Sequence, residues 1–301
     1  MSDLSLGQRK DIYKVVKEAF SPFVDFKALK GSHRNPKVVK SSLLFLSKDL
    51  TANKNDSGIE NCGTDWMLKE IGRGMIRYSR RIAWLMRHYT FAARVPVLKD
   101  KTRARVVDIG CDVAEIRKIM SGSFYYPNPL YLGIDINHET LKAGFPEMES
   151  RTPGLLVQQD VTFGLKFIKS NSVHCVIAGE IIEHFTKKFG IKMLKEIKRI
   201  LKPGGVFFIS TPCKKNSKEY EFHRYEYEPD ELKRILKKLG FHITRSYGWI
   251  TTEKVLKKRM NEEDRLFYER ALKTCHKDVL VPIMAHLDPN YGDAFVIEAR
   301  L

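Results

Sequence analysis

From Arg103 onward, short apolar runs alternate with stretches in which apolar positions recur every three or four residues. The short runs are ARVVDI (104–109), LYLGIDI (130–136), GLLVQQ (154–159), VHCVIA (173–178) and GVFFIST (205–211). FHITRSYG (241–248) and DAFVIEAR (293–300) follow later. These runs are predicted strands. The spacing in GIKMLKEIKRIL (190–201) and PDELKRILKKLG (229–240) predicts helices between them. Strands alternating with helices imply βαβ units and a mostly parallel sheet, an α/β fold. LKPGG (201–205) places Pro203 and two glycines just after the last apolar helical position, which reads as a helix stop.

Two further stretches frame this alternation. Ahead of it, Leu68, Ile71, Met75, Tyr78, Ile82, Leu85 and Tyr89 form one unbroken stripe, a helix beginning near Thr64 or Asp65 and packed on the sheet domain. Lys69, Arg73, Arg77, Arg80, Arg81 and Arg87 lie off that stripe and read either as a solvated face or as phosphate contacts. Residues 1–60 look mixed and partly helical, with NKNDSG (53–58) as a loop. Between the last two strands, the long segment 249–292 contains KVLKKRMNEEDRLFYERALKTC (254–275), a helical pattern with Leu256, Met260, Leu266, Phe267, Ala271 and Leu272. An insertion of that length suits a lid or substrate loop, or passive decoration. The organisation expected is a mainly helical, basic N-terminal region (1–103) followed by the sheet domain (104–301).

Composition sharpens this picture at two points. Of the net charge of +17, residues 1–105 hold 22 Lys/Arg against 10 Asp/Glu, or +12. A basic region of that kind favours a polyanionic partner such as nucleic acid, here with Arg73, Arg77 and Arg81 as candidate contacts; a lysine-rich solubilising surface is the alternative. The five cysteines are scattered with no CxxC pair, which points away from disulfides and cysteine–zinc sites and toward a reducing cytoplasmic setting. No run of about 18 uncharged apolar residues occurs, so no membrane span is expected.

Chemistry gathers at the predicted strand ends. VVDIGCDVAEI (106–116) reads as strand, turn and helix, the place where nucleotide-binding folds put a glycine loop, yet it has one glycine. Asp108 and Gly110 mark this first turn, Asp135 ends the second strand and can grip a ribose diol, and Asp160 ends the third and can accept from an exocyclic amine. Three carboxylates suit adenosine and repel phosphate. An adenosyl cofactor without phosphates, S-adenosylmethionine, fits.

VVDIGCDVAEI, YLGIDINHETL, LLVQQDV, VIAGEIIEHF and LKEIKRILKPGGVFFISTP together resemble class I S-adenosylmethionine-dependent methyltransferases over roughly 104–212, and HRYEYEPDELKRILKKLGF extends the match to about 250. The resemblance implies a Rossmann-like, doubly wound seven-stranded sheet whose last strand, DAFVIEAR, runs antiparallel. It implies that the turn at Asp108, Gly110, Cys111 and Asp112 holds the methionine part, that Asp135 and Ile136 hold the ribose side, and that Asp160 and Val161 lie at the adenine. Gly179 and Glu180 would line the cofactor and face the acceptor. Asp112 and Ala114 depart from the family's glycines, and Asp112 adds a carboxylate that either meets the cofactor's ammonium or weakens binding.

Methyl transfer from a sulfonium needs positioning and removal of the acceptor's proton rather than a protein nucleophile. Glu180, Glu183, His184 and His223 are the candidates for proton removal. The i, i+3, i+4 spacing of Glu180, Glu183 and His184 in EIIEH puts them on one helical face, where, with His223, they could ligate a divalent metal such as Mg or Mn. This resembles small-RNA 3′-terminal 2′-O-methyltransferases, with HRYEYE (223–228) as the later motif. The alternative is a histidine pair that orients substrate or acts as base without metal. A DPPY-type tetrad is absent after the fourth strand, and Cys213 is expected to end a strand rather than act covalently. The function expected is S-adenosylmethionine-dependent methylation of nucleic acid; the alternatives are methylation of a small metabolite, or binding without catalysis.

Overall fold

A computed structural model of the chain describes residues 14, 17–29, 37–38, 87, 90–96, 98, 103–112, 114–122, 129–143, 154–214 and 222–301. The strands are β1 (Lys37–Val38), β2 (Arg105–Ile109), β3 (Leu130–Asp135), β4 (Gly154–Gln158), β5 (Val173–Gly179), β6 (Leu201–Pro212), β7 (His242–Ile250) and β8 (Ala294–Arg300). They form one sheet in the order β1-β4-β3-β2-β5-β6-β8-β7. β2 through β6 pair in parallel, β8 runs antiparallel to both β6 and β7, and β1 adds a two-residue antiparallel edge beside β4. Apart from that edge, the sheet is the expected seven-stranded one with an antiparallel last strand.

The parallel strands are buried almost throughout, as in VVDI of β2 and CVIA of β5. A sheet covered on both faces asks for continuous apolar runs, which is the pattern these strands carry. α1 (Glu115–Gly122), α2 (His138–Ala143), α3 (Lys187–Ile200) and α4 (Pro229–Lys238) supply the crossovers. α3 buries Gly190, Met193, Leu194, Ile197 and Ile200, one stripe at spacings of three and four. Each large apolar side chain buried there contributes about 1.5–3 kcal/mol. Gly190 is required because a Cβ would lie 2.6 Å from the Tyr227 hydroxyl.

The N-terminal region packs into the same body wherever it is described. Phe20, Phe23, Val24, Phe26 and Leu29 join the core on one face of the sheet, and Phe91, Ala92 and Val95 the core on the other. The predicted stripe from Leu68 to Tyr89, and Arg73, Arg77 and Arg81, lie outside the described residues. Arg87 is described, and it is neither a solvated residue nor a surface phosphate contact: it is buried at 7% exposure.

Two other expectations are corrected. β6 begins at Leu201 instead of at Gly205, because Leu201 pairs with Val173 before the register shifts to Val206 opposite Cys175. The helical pattern at 254–275 is split into α5 (Glu253–Arg259) and α6 (Glu262–Ala271), and a third helix, α7 (Lys277–Ala285), follows. Asn261 interrupts the pattern by capping α6, its side chain accepting from the Asp264 N–H at 2.8 Å. Leu256, Met260, Tyr268, Leu280, Val281 and Met284 then close a small core of their own, and Leu266 and Phe267 face outward. Among the described residues no helix is long and apolar enough to cross a membrane.

The strand order reverses between β2 and β5. The chain first builds β3 and β4 on one side of β2, then β5 and β6 on the other. In open α/β sheets such a switch opens a crevice beyond the carboxyl ends of the two central strands. The turns at Gly110 and Gly179 therefore border it.

Candidate active site

The first turn has the shape of a glycine loop without its glycines. Gly110, Asp112 and Ala114 have φ of 70°, 49° and 55°. That left-handed region is free for glycine and costs other L-residues energy, least for Asp and Asn. A Cβ at Gly110 would also sit 2.6 Å from Ile181 Cδ1, so only glycine fits there. The Gly110 and Cys111 N–H groups both donate to the Ile134 carbonyl, at 2.8 and 3.1 Å, tying the turn to β3.

Beneath the turn, Asp108 is buried and accepts a 2.6 Å bond from the Tyr131 hydroxyl. Burial lifts its carboxyl to about 7; the Tyr131 bond and the charge of Arg87 pull it down, and Asp135 pushes it up. Burial likewise pushes the Cys111 thiol and the Tyr131 phenol well up.

Asp135 holds the second edge. Its Oδ2 accepts from the Asp112 N–H at 3.0 Å and its Oδ1 from the Asn137 N–H at 2.9 Å. Ile136 beside it is 64% exposed, an apolar surface next to a carboxylate, as a nucleoside's ring and diol require. Asp160 is engaged differently from expectation: its Oδ1 accepts from the Thr162 N–H and hydroxyl, at 2.9 and 2.7 Å, and caps the turn Val161–Phe163. Oδ2 makes no hydrogen bond among the described residues, and Val161 is buried beside it. The Gly110 cradle, the Asp135–Ile136 edge and the Asp160 corner thus fit an adenosyl cofactor.

The other side of the crevice departs from expectation. EIIEH is not a helical face, because Glu180 has a left-handed φ of 53° and only Ile182–His184 form a helical turn, of 3₁₀ type. Glu180 is accordingly not grouped with Glu183, His184 and His223. Its carboxylate lies 3.4 Å from Arg87 Nη1, with the Ser210 and Trp249 side chains against it. Burial raises the Glu180 pKa and Arg87 opposes the rise.

Glu183, His184 and His223 do converge, with one ligand-type atom from each within 4.8 Å of the others. Their assembly rests on the backbone. The N–H groups of Arg224 and Tyr225 donate to the Glu183 carbonyl at 2.7 and 3.1 Å, which lays the HRYEYE segment over EIIEH. The two imidazoles meet edge-on, 5.3 Å between centroids. Glu183 is buried, accepts from Thr211 Oγ1 at 3.0 Å, and is pushed well above the usual carboxylate range by burial and by the Glu180 charge. His184 Nδ1 lies 3.2 Å from the Phe222 carbonyl and His223 Nδ1 2.6 Å from Glu226 Oε1. A carbonyl and a carboxylate can only accept, so in each neutral ring the proton sits on Nδ1.

Sequence patterns had singled out neither Tyr131, Ser210 and Trp249 nor the orienting role of Glu226. Only Glu226 left a trace, three residues after His223 in the aromatic–acid run.

The crevice and its acid-lined strand ends define the class: a class I S-adenosylmethionine-dependent methyltransferase fold. A family model described as a methyltransferase domain matches residues 79–246, more than half of the chain. The chain belongs to that family and is an S-adenosylmethionine-dependent methyltransferase. Among solved structures it is similar to a SAM-dependent methyltransferase from Archaeoglobus fulgidus, at 19% identity and a TM-score of 0.50, covering 78% of this chain and 99% of that one. It is also similar to a chain of the complex between the Haloferax volcanii Trm112 methyltransferase activator and its methyltransferase, at 15% identity and 0.51, covering 80% and 96%. A third is magnesium protoporphyrin IX methyltransferase from Synechocystis with bound SAH, at 15% identity and 0.48, covering 80% and 95%. At these identities the first two speak for the fold. No curated protein matches the chain.

Proposed function

We propose that the protein methylates a hydroxyl of a nucleic acid, RNA or DNA, beside a divalent cation held by Glu183, His184 and His223. The observation that carries this reading is the pair of histidines whose Nδ1 atoms are taken by Phe222 and Glu226, with Glu183 beside them. Metal-binding histidines typically donate their other ring N–H to a carbonyl or carboxylate in this way, which fixes the tautomer. Two imidazoles and one carboxylate suit Mn or another first-row ion better than Mg, which prefers oxygen ligands. Bound there, the ion would draw an acceptor oxygen and its neighbouring phosphate toward the crevice.

When bound, S-adenosylmethionine supplies a methyl already activated on sulfonium; the acceptor oxygen forms the new C–O bond as the C–S bond breaks, leaving a neutral thioether. The chain's part is to hold the cofactor through the Gly110 turn, Asp135 and Asp160, and to take the acceptor's proton. Glu180, half-buried with a raised pKa between Gly179 and the histidines, takes that proton.

Support for a nucleic acid comes from charge and aromatics together. Residues 1–105 carry the +12 excess. Phe222, 73% exposed, neighbours His223, and exposed Phe189, Lys188, Lys192 and Arg224 lie in the two segments that carry the histidines. Exposed rings among cations make a platform on which bases stack. The scattered cysteines, with no CxxC pair, suit a reducing, cytoplasmic setting.

The test is transfer of labelled methyl from S-adenosylmethionine to total RNA, to DNA and to a small-metabolite extract, with and without chelator. Label in nucleic acid that is lost on chelation, restored by Mn, and reduced steeply by salt supports the reading. Label confined to metabolites refutes the nucleic-acid acceptor, and chelator-insensitive transfer refutes the metal.

A further inference from the structure

Arg87 lies in the region ahead of the sheet, 92 positions before Gly179, yet its guanidinium ends among the carboxyl termini of three strands. Nη1 donates to Ser210 Oγ of β6 at 3.0 Å and lies 3.4 Å from Glu180 Oε1 just past β5. Its Cζ lies over the Trp249 ring of β7, 4.2 Å from the centroid. Asp108, Glu183 and Tyr247 add their fields to this guanidinium.

A pair optimised for stability would be a bidentate fork at hydrogen-bonding distance. The 3.4 Å contact is longer than that, and it holds a residue in a strained left-handed conformation, a condition that clusters at functional sites. Glu180 Oε1 has only the long contact to Arg87 and the Trp249 side chain set against its carboxylate, with no hydrogen bond of normal geometry among the described residues. An acceptor hydroxyl donating to this oxygen would complete it.

We propose that Arg87 is a positioning residue for methyl transfer, reaching in from the N-terminal region to hold the Glu180 carboxylate at the acceptor end of the crevice. Ser210 relays the hold from β6, and the Trp249 ring beneath the guanidinium keeps it in place. The catalytic unit thus includes the end of the N-terminal region as well as the sheet domain. This rests on the proton-accepting role given to Glu180 above.

The experiment compares Arg87→Met, Arg87→Lys, Glu180→Gln and the Arg87→Met/Glu180→Gln double variant in the full chain. Label transfer from S-adenosylmethionine to total RNA is read as kcat and KM, and affinity for S-adenosylhomocysteine is read by calorimetry. Arg87→Met is expected to lower kcat about a hundredfold, the scale on which displacement of a reacting group by about 1 Å is felt. S-adenosylhomocysteine affinity should stay within about threefold, since Asp135 and the Gly110 turn are untouched. Arg87→Lys should recover part of the rate, keeping the charge without the fork, and the double variant should be no slower than Glu180→Gln.

Wild-type kcat in Arg87→Met overturns the proposal, as does a double variant whose losses multiply. If Glu180→Gln keeps the wild-type rate, the role of Glu180 fails and the proposal with it. A slow Glu180→Gln beside a fast Arg87→Met fails the proposal alone. Should Arg87→Met not accumulate folded, Arg87→Lys decides: a kcat loss at unchanged melting temperature supports positioning, and a melting loss at unchanged kcat refutes it. If total RNA takes no label, the same four proteins are compared on the metabolite extract.

Discussion

Replacing Asp108 by Asn tests the electrostatics beneath the cofactor turn. In the folded chain the Asp108 carboxyl is lifted to about 7, whereas an unburied aspartate titrates near 3.8. The folded state therefore holds this proton over a range in which the unfolded state has released it. Stability falls as pH rises through that window, and below and above it the group makes no further difference. The gap is roughly three pH units, and at about 1.4 kcal/mol per unit the full cost at pH 8 is about 4 kcal/mol. Asn at 108 has no charge to bury and can still accept from the Tyr131 hydroxyl. The free energy of urea unfolding, measured at half-unit steps from pH 4.5 to 8.5, should show Asp108→Asn gaining on the wild type at about 1.4 kcal/mol per unit until pH 7 and running parallel above it. Tyr131→Phe removes a bond that favours the carboxylate, so its break should move above pH 7. Parallel curves for Asp108→Asn and wild type over the whole range would falsify the buried-carboxyl account.

The remaining predictions probe the loop, the histidines and the thiols. Gly110→Ala, forced to a φ of 70° and into Ile181, should cost about 2 kcal/mol or more in thermal unfolding. Asp112→Gly, exposed and relieved of its left-handed strain, should change stability by less than about 1 kcal/mol. Its affinity for S-adenosylhomocysteine, measured by calorimetry, then decides Asp112's part: a gain marks the carboxylate as an obstacle, and a loss marks it as a ligand. Glu226→Gln, which weakens the hold on His223 Nδ1, should reduce Mn affinity about tenfold or more in titration calorimetry; unchanged affinity would remove Glu226 from the site. Among the described cysteines, brief alkylation followed by peptide mass mapping should label Cys275 first, and Cys111 and Cys175 only on unfolding, since both are buried with thiols pushed up.

Legibility differed from element to element for physical reasons. β2 to β5 could be read because strands buried on both faces need unbroken apolar runs, and the acids at their ends stand just where those runs stop. The 254–275 pattern was read as one helix because Leu256, Met260 and Ala271 keep helical spacing across Asn261. The break was still present in the sequence, as an Asn followed three residues later by Asp264, a capping pattern outweighed by the apolar count. LKPGG looked like a pure stop because proline and glycine dominate such windows, whereas pairing of Leu201 with Val173 starts the strand ahead of them.

EIIEH is the instructive case, since its residues were found and their arrangement was not. Spacing of i, i+3, i+4 groups side chains only if every intervening residue is helical. One residue at φ 53° turns Glu180 away, so the carboxylate expected to join the histidines meets an arginine from 93 positions upstream. No local pattern encodes that turn, because glutamate has no preference for it; the conformation is imposed by what surrounds it. The Glu180 N–H donates to the Ser210 carbonyl at 2.9 Å, and Ser210 Oγ receives Arg87. The same residue of β6 therefore fixes Glu180's backbone and steadies the cation beside its carboxylate. The histidine cluster, by contrast, depends on backbone bonds from Arg224 and Tyr225 to Glu183, which hold whatever Glu180 does. The two halves feel each other's charge, but the backbone ties of the histidine cluster do not involve the Glu180 side chain, which is why losing Glu180 from the expected ligand set leaves Glu183, His184 and His223 assembled.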